Sequence, residues 1–360
     1  MRNTLLSTAV MLACAAAVTA SAEDASQEKT TIGGKTYIDF THVSQDSDGV
    51  SKDATGIGID VKRFYVGIDH KFDDMWATNV TTDFNYLSTD GETQIYIKKA
   101  YMEAKFDDAF VLRAGSADLP WVPFVEGLYG YRYMENVLID HTKFGTSADW
   151  GLHASGKLSD GMVNYAVSIV NGAGYKNPTR SKSVDVEGRV SVEPVKGLTF
   201  AVGFHNGKLG KETESNPAEN TAQRIDVLAA YVSGPFRTGV EYFQAKNWNR
   251  VQAPANPPTA AFEEDKSDGY SGWFSYGFTN EVAAFVRYDR VKPSKDLAPN
   301  LENKYLNLGV AYKPRKNVDL AFVYKQDKVD SGTFGTSNGT IGGTTNGNFS
   351  EVGVFAQVAF

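Results

Sequence analysis

The stretch that decides the fold class is LTFAVGFH, residues 198–205. Every second residue in it is large and apolar, and the residues between are small or polar. The apolar set is Leu198, Phe200, Val202 and Phe204. A repeat of two residues is typical of a β-strand, because successive side chains of a strand point to opposite faces, whereas an amphipathic helix repeats every 3.6 residues. The stretch therefore predicts a strand with one apolar face and one polar face.

The same alternation recurs from Thr36 to the end of the chain, most clearly in 76–86, 184–193 and 352–360. Seven short turns and eight long connections separate sixteen such segments. The turns lie at 73–74, 107–108, 159–161, 194–197, 233–236, 278–281 and 313–317, and the long connections span 46–55, 88–94, 116–147, 171–183, 206–223, 246–268, 292–304 and 328–348. This layout predicts an all-β fold, a 16-stranded antiparallel transmembrane β-barrel with both chain ends on the periplasmic side.

Composition excludes several other classes of protein. The chain has 360 residues, with 36 Lys and Arg against 43 Asp and Glu, and this acidic balance argues against a nucleic-acid partner. A single cysteine excludes a disulfide scaffold, and no long apolar run after the N-terminus indicates a helical membrane protein. A soluble all-β sandwich or propeller remains an alternative. Charges on one face of nearly every strand and aromatic residues at strand ends, such as Trp76 and Tyr86, favour the barrel.

The N-terminus predicts an export signal. Met1–Ala22 has a positive charge at Arg2, an apolar stretch, and the A-x-A cleavage site Ala20-Ser21-Ala22. Cleavage there leaves residues 23–360 as one barrel domain and removes Cys14, the one cysteine of the chain. A buried N-terminal helix and a lipoprotein signal ending at Cys14 are the alternatives.

The third long connection, 116–147, is the longest and has its own apolar residues, including Trp121, Phe124, Tyr129, Leu138 and Ile139. Loops of this length are usually functional or disordered, and these apolar residues argue against disorder. We therefore expect this loop to fold into the lumen and narrow it, with a lid or a subunit contact as the alternative. The polar tracts 211–222, 251–267 and 331–347 are expected to be exposed outer loops, the last of them flexible.

Three stretches carry a resemblance to a known family. The chain ends on Val354–Phe360, an alternating strand with a terminal phenylalanine, and Val163–Gly174 and Val111–Ser116, the latter followed by a long loop with Pro120 and Pro123, have the pattern of porin strands. The sequence resembles Gram-negative outer-membrane porins, in particular the phosphate-selective porin O/P family. The resemblance implies a homotrimeric channel whose third loop enters the lumen. It also implies that Phe360 is an assembly signal for the barrel-assembly machinery.

The resemblance further implies a constriction in which basic wall residues oppose charged residues of the third loop. The wall residues would be Arg63, Lys99, Arg113 and Arg189, and the loop residues Asp118, Glu126, Arg132, Glu135 and Asp140. Because the basic residues of the third loop are Arg132 and Lys143 against four acids, the sequence does not predict tight phosphate binding.

We therefore expect passive diffusion of small hydrophilic solutes or ions across the outer membrane of a Gram-negative bacterium, with weak charge selectivity. The expected surroundings are outer-membrane lipid and lipopolysaccharide. No cofactor or metal is expected, because no His pair with metal-ligand spacing and no nucleophile motif stands out. No nucleic-acid partner is expected, because the chain is acidic. The alternatives are a surface adhesin or structural barrel, and an outer-membrane barrel hydrolase.

Overall fold

The computed structural model describes residues 28–87, 92–218, 220–252 and 263–360, which are nearly all β-structure. The signal segment 1–22 lies outside the described residues, as do 88–91 and 253–262 of two long connections. The strands are β1 (Lys29–Ser47), β2 (Val50–Ser51), β3 (Gly56–Lys71), β4 (Trp76–Leu87), β5 (Glu92–Lys105), β6 (Val111–Asp118), β7 (Ala148–Leu158), β8 (Val163–Val170), β9 (Asp185–Val195), β10 (Leu198–Gly207), β11 (Ala222–Ser233), β12 (Phe236–Lys246), β13 (Lys266–Gly277), β14 (Val282–Lys292), β15 (Glu302–Arg315), β16 (Val318–Asp330), β17 (Thr333–Thr336), β18 (Gly339–Gly342) and β19 (Asn346–Ala359). Two helices, α1 (Val122–Tyr129) and α2 (Leu138–His141), lie between β6 and β7. In the described part of the chain, no helix is long and apolar enough to cross a membrane.

The sheet closes on itself. Each long strand pairs antiparallel with the next along the chain, and β19 returns to pair with β1, from Lys35 opposite Ala359 to Ser47 opposite Gly347. The short strand β2 extends the outer end of β1, and β17 and β18 form a separate hairpin. The remaining strands form a closed barrel of sixteen antiparallel strands, which confirms the predicted fold class.

The two faces of the wall differ as the alternation predicts. In β10, Phe200, Val202 and Phe204 are 45, 56 and 46% exposed on the outside of the barrel. Ala201 and His205, which alternate with them, are buried inside. An apolar exterior and a polar interior are what a strand between lipid and a lumen requires.

Two β-bulges interrupt the alternation on the wall of β3 and β5. The register between β1 and β3 shifts between Val61 and Arg63, which leaves Lys62 unpaired, and the register between β4 and β5 skips Lys98 in the same way. A bulge brings successive residues onto one face. As a result Lys62-Arg63 and Lys98-Lys99 all have partners inside the barrel.

The third loop, residues 119–147, packs against the inner wall of β10–β16. Trp121 is fully buried there and donates a hydrogen bond from Nε1 to Glu241 over 2.8 Å. The wall makes room with small residues: a Cβ on Gly203 would lie 2.5 Å from the Trp121 ring. The loop and the wall form one apolar cluster, which includes Val122, Val125, Tyr129, Leu138, Ile139, Phe144, Phe243, Trp273 and Val291.

The last outer connection also folds inward, contrary to the expectation that 331–347 is flexible and faces outside. Its hairpin, β17 and β18, buries Phe334 and Ile341 in the same cluster as the third loop. The Ser337 backbone N–H donates to the His141 carbonyl over 2.8 Å. Glycine allows the hairpin to pack closely: a Cβ on Gly342 would lie 2.1 Å from the Gly332 carbonyl oxygen.

Candidate pore constriction

The third loop has one apolar face against the wall and one polar face toward the lumen. Helix α1 ends at Tyr129, and the chain reverses at the next residue, Gly130. The φ of Gly130 is 78°, a conformation that favours glycine. Arg237 of β12 closes this turn by donating to the Gly127 carbonyl over 3.1 Å. After the reversal, Arg132 pairs with Glu126 and lies 3.9 Å from the Asp140 carboxylate. The polar face of the third loop thus consists of a linked set of charges.

A cavity of about 450 Å³ separates this polar face from the wall of β1, β3 and β5. We call this cavity and the charges around it the constriction. Its lining includes Tyr37, Tyr65, Lys98 and Lys99 from the wall, Asp118 from the end of β6, and Pro123, Glu126 and Arg132 from the loop. One end of the cavity lies at the short-turn rim, which is the edge of the barrel where the short turns connect the strands. This end is lined by Gly33, Gly34 and Phe360. The constriction therefore opens toward the periplasmic side of the barrel.

The connection between β8 and β9 also contributes to the constriction. Tyr175 reaches across the lumen and donates its hydroxyl to Asp83 of β4, which is itself 3.6 Å from the Arg63 guanidinium. The next residue, Lys176, places its ammonium 4.8 Å from the centroid of the Tyr96 ring. Burial, together with the nearby Arg63, lowers the pKa of Lys176 to about 8.

The structure brings together six of the nine predicted constriction residues. Lys99 pairs with Asp118, and Glu126, Arg132 and Asp140 form the polar face of the loop. Arg63 lies 3.6 Å from Asp83, and its charge also interacts with that of Arg132 at longer range. These contacts define a mixed lining of bases and acids.

Three predicted residues lie elsewhere. Arg113 pairs with Glu103 over 2.7 Å, nearer the short-turn rim than Lys99. Arg189 braces the third loop, because its guanidinium donates to the Pro120 carbonyl and lies 3.9 Å from the centroid of the Phe124 ring. Glu135 is buried between the loop and the wall of β16, where it accepts from Ser337 over 2.7 Å.

Buried charges fasten the third loop to the wall and to the last hairpin. Lys325 lies between Glu135 and Glu351, at 3.5 and 2.9 Å. His141 lies 3.2 Å from Asp327. Burial acts to lower the pKa of His141, but the adjacent carboxylates of Asp327 and Glu135 outweigh burial and raise the pKa to about 9. At neutral pH, His141 is therefore a cation held between two carboxylates.

Sequence reasoning missed several residues of the lumen. Counted back from Phe64 and Met102, strict alternation puts Lys62 and Lys98 on the lipid side, whereas the bulges place them inside beside Arg63 and Lys99. The signal was present as the apolar parity changing between Val61 and Phe64. Tyr175 and Lys176 carried no signal, because they lie in a connection with no alternation.

A closed sixteen-stranded barrel with an apolar exterior, a charged lumen and an inward-folded third loop defines the class of outer-membrane diffusion channels. A family model for Gram-negative porins matches residues 7–332, and the chain belongs to this family. The match confirms the resemblance to porins, while the phosphate-selective branch stays a prediction. The protein is thus a passive diffusion channel of the Gram-negative outer membrane.

Solved structures share the fold at low sequence identity. The anion-selective porin from Comamonas acidovorans superposes with a TM-score of 0.67 at 13% identity, covering 93% of this chain and 100% of that one. The outer-membrane channel DcaP of Acinetobacter baumannii gives 0.62 at 12% identity, covering 95 and 100%. OmpF of Salmonella typhi in complex with daunomycin gives 0.58 at 15% identity, covering 92 and 98%. No curated protein sequence matches the chain significantly.

Proposed function

We propose that small hydrophilic solutes and ions cross this porin between the polar face of the third loop and the wall of β1–β5, with a weak preference for anions. The balance of charge around the constriction is the observation that carries the proposal. The bases are Arg63, Lys98, Lys99, Arg132 and Lys176, and the acids are Asp83, Asp118, Glu126 and Asp140. Strong selectivity needs rings of one sign, and this lining has both signs in nearly equal number.

Pairing weakens the field of these charges further. Lys99 with Asp118 and Arg132 with Glu126 are close pairs, so each presents a dipole to a passing ion and not a net charge. The field of a dipole decays faster with distance than that of a single charge. These pairs therefore add little net selection, and the opposition of wall bases to loop acids across the passage stays a prediction.

Planar-bilayer recording tests this function. The purified, folded protein is inserted into a bilayer with a KCl gradient, and the reversal potential is measured. We expect discrete conductance steps and a reversal potential displaced modestly toward that of chloride. Absence of steps would contradict a diffusion channel, and a reversal potential close to the limit for either ion would contradict weak selectivity.

We also propose the remaining features of a mature porin: removal of residues 1–22, a homotrimer surrounded by outer-membrane lipid and lipopolysaccharide, and transport without catalysis. OmpT of Vibrio cholerae, a structural neighbour at 13% identity, is described in a trimer form. N-terminal sequencing of the outer-membrane protein should begin at Glu23. Cross-linking followed by denaturing electrophoresis should give a trimer band, and a monomer band alone would contradict the trimer.

Phe360 is proposed as the recognition residue for the barrel-assembly machinery. Its backbone pairs with Gly34 over 2.9 and 3.1 Å, so the last residue closes the barrel seam. Phe360 is 64% exposed, so its ring is accessible. Deleting Phe360 should lower the amount of folded protein in the outer membrane, and Phe360→Tyr should preserve it. Equal amounts after deletion would contradict the assignment.

A further inference from the structure

Two lysines at the constriction differ from the other charges there. Among the described residues, neither Lys98 nor Lys176 has a carboxylate oxygen within 4 Å of its ammonium group, and both lie against aromatic rings. The Lys98 ammonium is 5.0 Å from the centroid of the Tyr65 ring and 5.9 Å from that of Tyr175. The Lys176 ammonium is 4.8 Å from the centroid of Tyr96 and 5.8 Å from that of Tyr175. Both ammonium groups thus lie within 6 Å of the centroid of the Tyr175 ring.

Tyr175 is fixed by three hydrogen bonds. The Tyr175 hydroxyl donates to Asp83, its backbone N–H donates to the Ala148 carbonyl over 3.0 Å, and its carbonyl accepts from Trp150 Nε1 over 3.1 Å. Asp83 is fully buried and is engaged by Arg63 and by this hydroxyl. Both contacts are to Oδ2 of Asp83, and neither lysine lies within ion-pair distance of this carboxylate.

We infer, on the basis of the proposed passage, that Lys98 and Lys176 form a binding site for small organic carboxylates. A cation–π contact is worth about 0.5–2 kcal/mol and leaves the ammonium N–H groups free to donate. A carboxylate accepts such charge-assisted hydrogen bonds well, and each lysine offers a donor of this kind beside the Tyr175 ring. The Tyr37–Tyr65 pair, with ring centroids 5.8 Å apart, lines the adjoining cavity and fits the apolar body of the solute.

The rings beside the lysines favour a carboxylate with an apolar body over inorganic phosphate, which is polar on every side. Such a solute can place its apolar part against Tyr37 and Tyr65 and its charge toward the ammonium groups. Lysine binds either anion, so the preference comes from the rings. The cavity of about 450 Å³ is within the usual range of small-molecule sites. A monocarboxylate with a ring, such as benzoate, is therefore the appropriate probe.

The site should depend on pH near neutrality. The pKa of Lys176 is held at about 8 by burial and by the nearby Arg63 and Lys98, against the attraction of Asp83 and Asp140. The rings of Tyr96 and Tyr175 are its direct contacts. Lys176 is protonated below this pH and neutral above it, so affinity for a carboxylate should fall between pH 7 and pH 9.

Benzoate block of single-channel chloride current tests the inference. We expect benzoate to interrupt the current of the intact protein, with an affinity that falls about tenfold in Lys98→Gln and in Lys176→Gln, as expected for a charge-assisted hydrogen bond. Lys105→Gln is the matched control, because this lysine pairs with Asp108 at the rim and should not change the block. Lys98→Arg keeps the charge and should keep the block, which separates loss of the site from loss of the fold.

Lys176→Arg tests the expected dependence of benzoate binding on pH. Since arginine stays protonated, this variant should bind benzoate equally at pH 7 and pH 9, whereas the intact protein should not. Channels that conduct but are never blocked by benzoate would overturn the carboxylate site and leave the proposed function standing. Block by inorganic phosphate without block by benzoate would also overturn it. Absence of conductance would instead refute the proposed function.

Discussion

Trp121→Ala is expected to detach the third loop from the wall without unfolding the barrel. Trp121 is fully buried, fills the space over Gly203, and donates to Glu241. Replacing a buried Trp by Ala costs about 3–5 kcal/mol, and the barrel strands keep their backbone ladders. The loss should therefore fall on docking of the loop and not on the sheet.

The size of the effect follows from that figure. A loss of about 3 kcal/mol raises the population of the detached loop about a hundredfold, because each 1.4 kcal/mol is a factor of ten. Glu241 also loses the donor that satisfies one of its oxygens, and its other oxygen has no partner among the described residues. An unsatisfied buried acceptor adds about 1–3 kcal/mol to the cost.

Single-channel recording and limited proteolysis measure the two consequences. Trp121→Ala should show larger and noisier conductance and faster cleavage within the third loop, while its heat-induced unfolding changes little. Trp121→Phe keeps the ring and removes the donor, so it should give a smaller change of the same kind. Unchanged noise and unchanged cleavage in Trp121→Ala would refute the idea that this residue anchors the loop.

Three further predictions concern the charges and the hairpin around the loop. Lys325→Met should lower the free energy of unfolding in urea by about 3 kcal/mol, because Glu135 and Glu351 lose a buried cation. The matched control is Lys313→Met, at an exposed pair with Asp319, which should change the free energy of unfolding by less than about 1 kcal/mol. Equal losses in the two variants would contradict the burial argument. Raising the pH through about 9 should increase current noise, since the stabilisation from His141 is complete below its ordinary pKa of 6.5 and is lost as the pH rises through about 9. His141→Gln should be noisy at pH 7 and pH 10 alike. A quiet variant would contradict a role of the His141–Asp327 contact in holding the loop. Replacing 331–345 by a short turn should raise conductance while benzoate still blocks, and lost block would show that the hairpin shapes the lysine site.

The wall was predictable from the sequence because its physics is local. A strand between lipid and water must alternate, so segments such as 198–205 reveal both their secondary structure and their two faces. The number of strands followed from the alternation of short and long connections. The length and apolar residues of the third loop also predicted its inward fold, which the burial of Trp121 and Leu138 confirms.

The exact lining of the pore was less predictable, for two physical reasons. A bulge changes which residues face inward without changing composition, and in β3 and β5 it places two successive cations of each strand in the lumen. Loop packing is non-local: the Gly-rich hairpin around Gly342 is ordered by contacts with residues far away in the chain. A sequence rich in Gly, Thr and Asn has the same composition whether such contacts exist or not.

The two halves of the lumen determine where solutes can pass. On β10–β13, Gly203 and Gly239 leave room that Trp121 and Trp273 fill, and Arg224 pairs with Asp226 beneath the third loop, so that side is filled and closed. On β3 and β5, the bulges add cations, and Lys98 lines an open cavity together with Asp118 and Glu126, whose charges act on it at longer range. A cavity lined by charges of both signs favours water and polar solutes over apolar packing. The path for a solute therefore follows the β1–β5 wall.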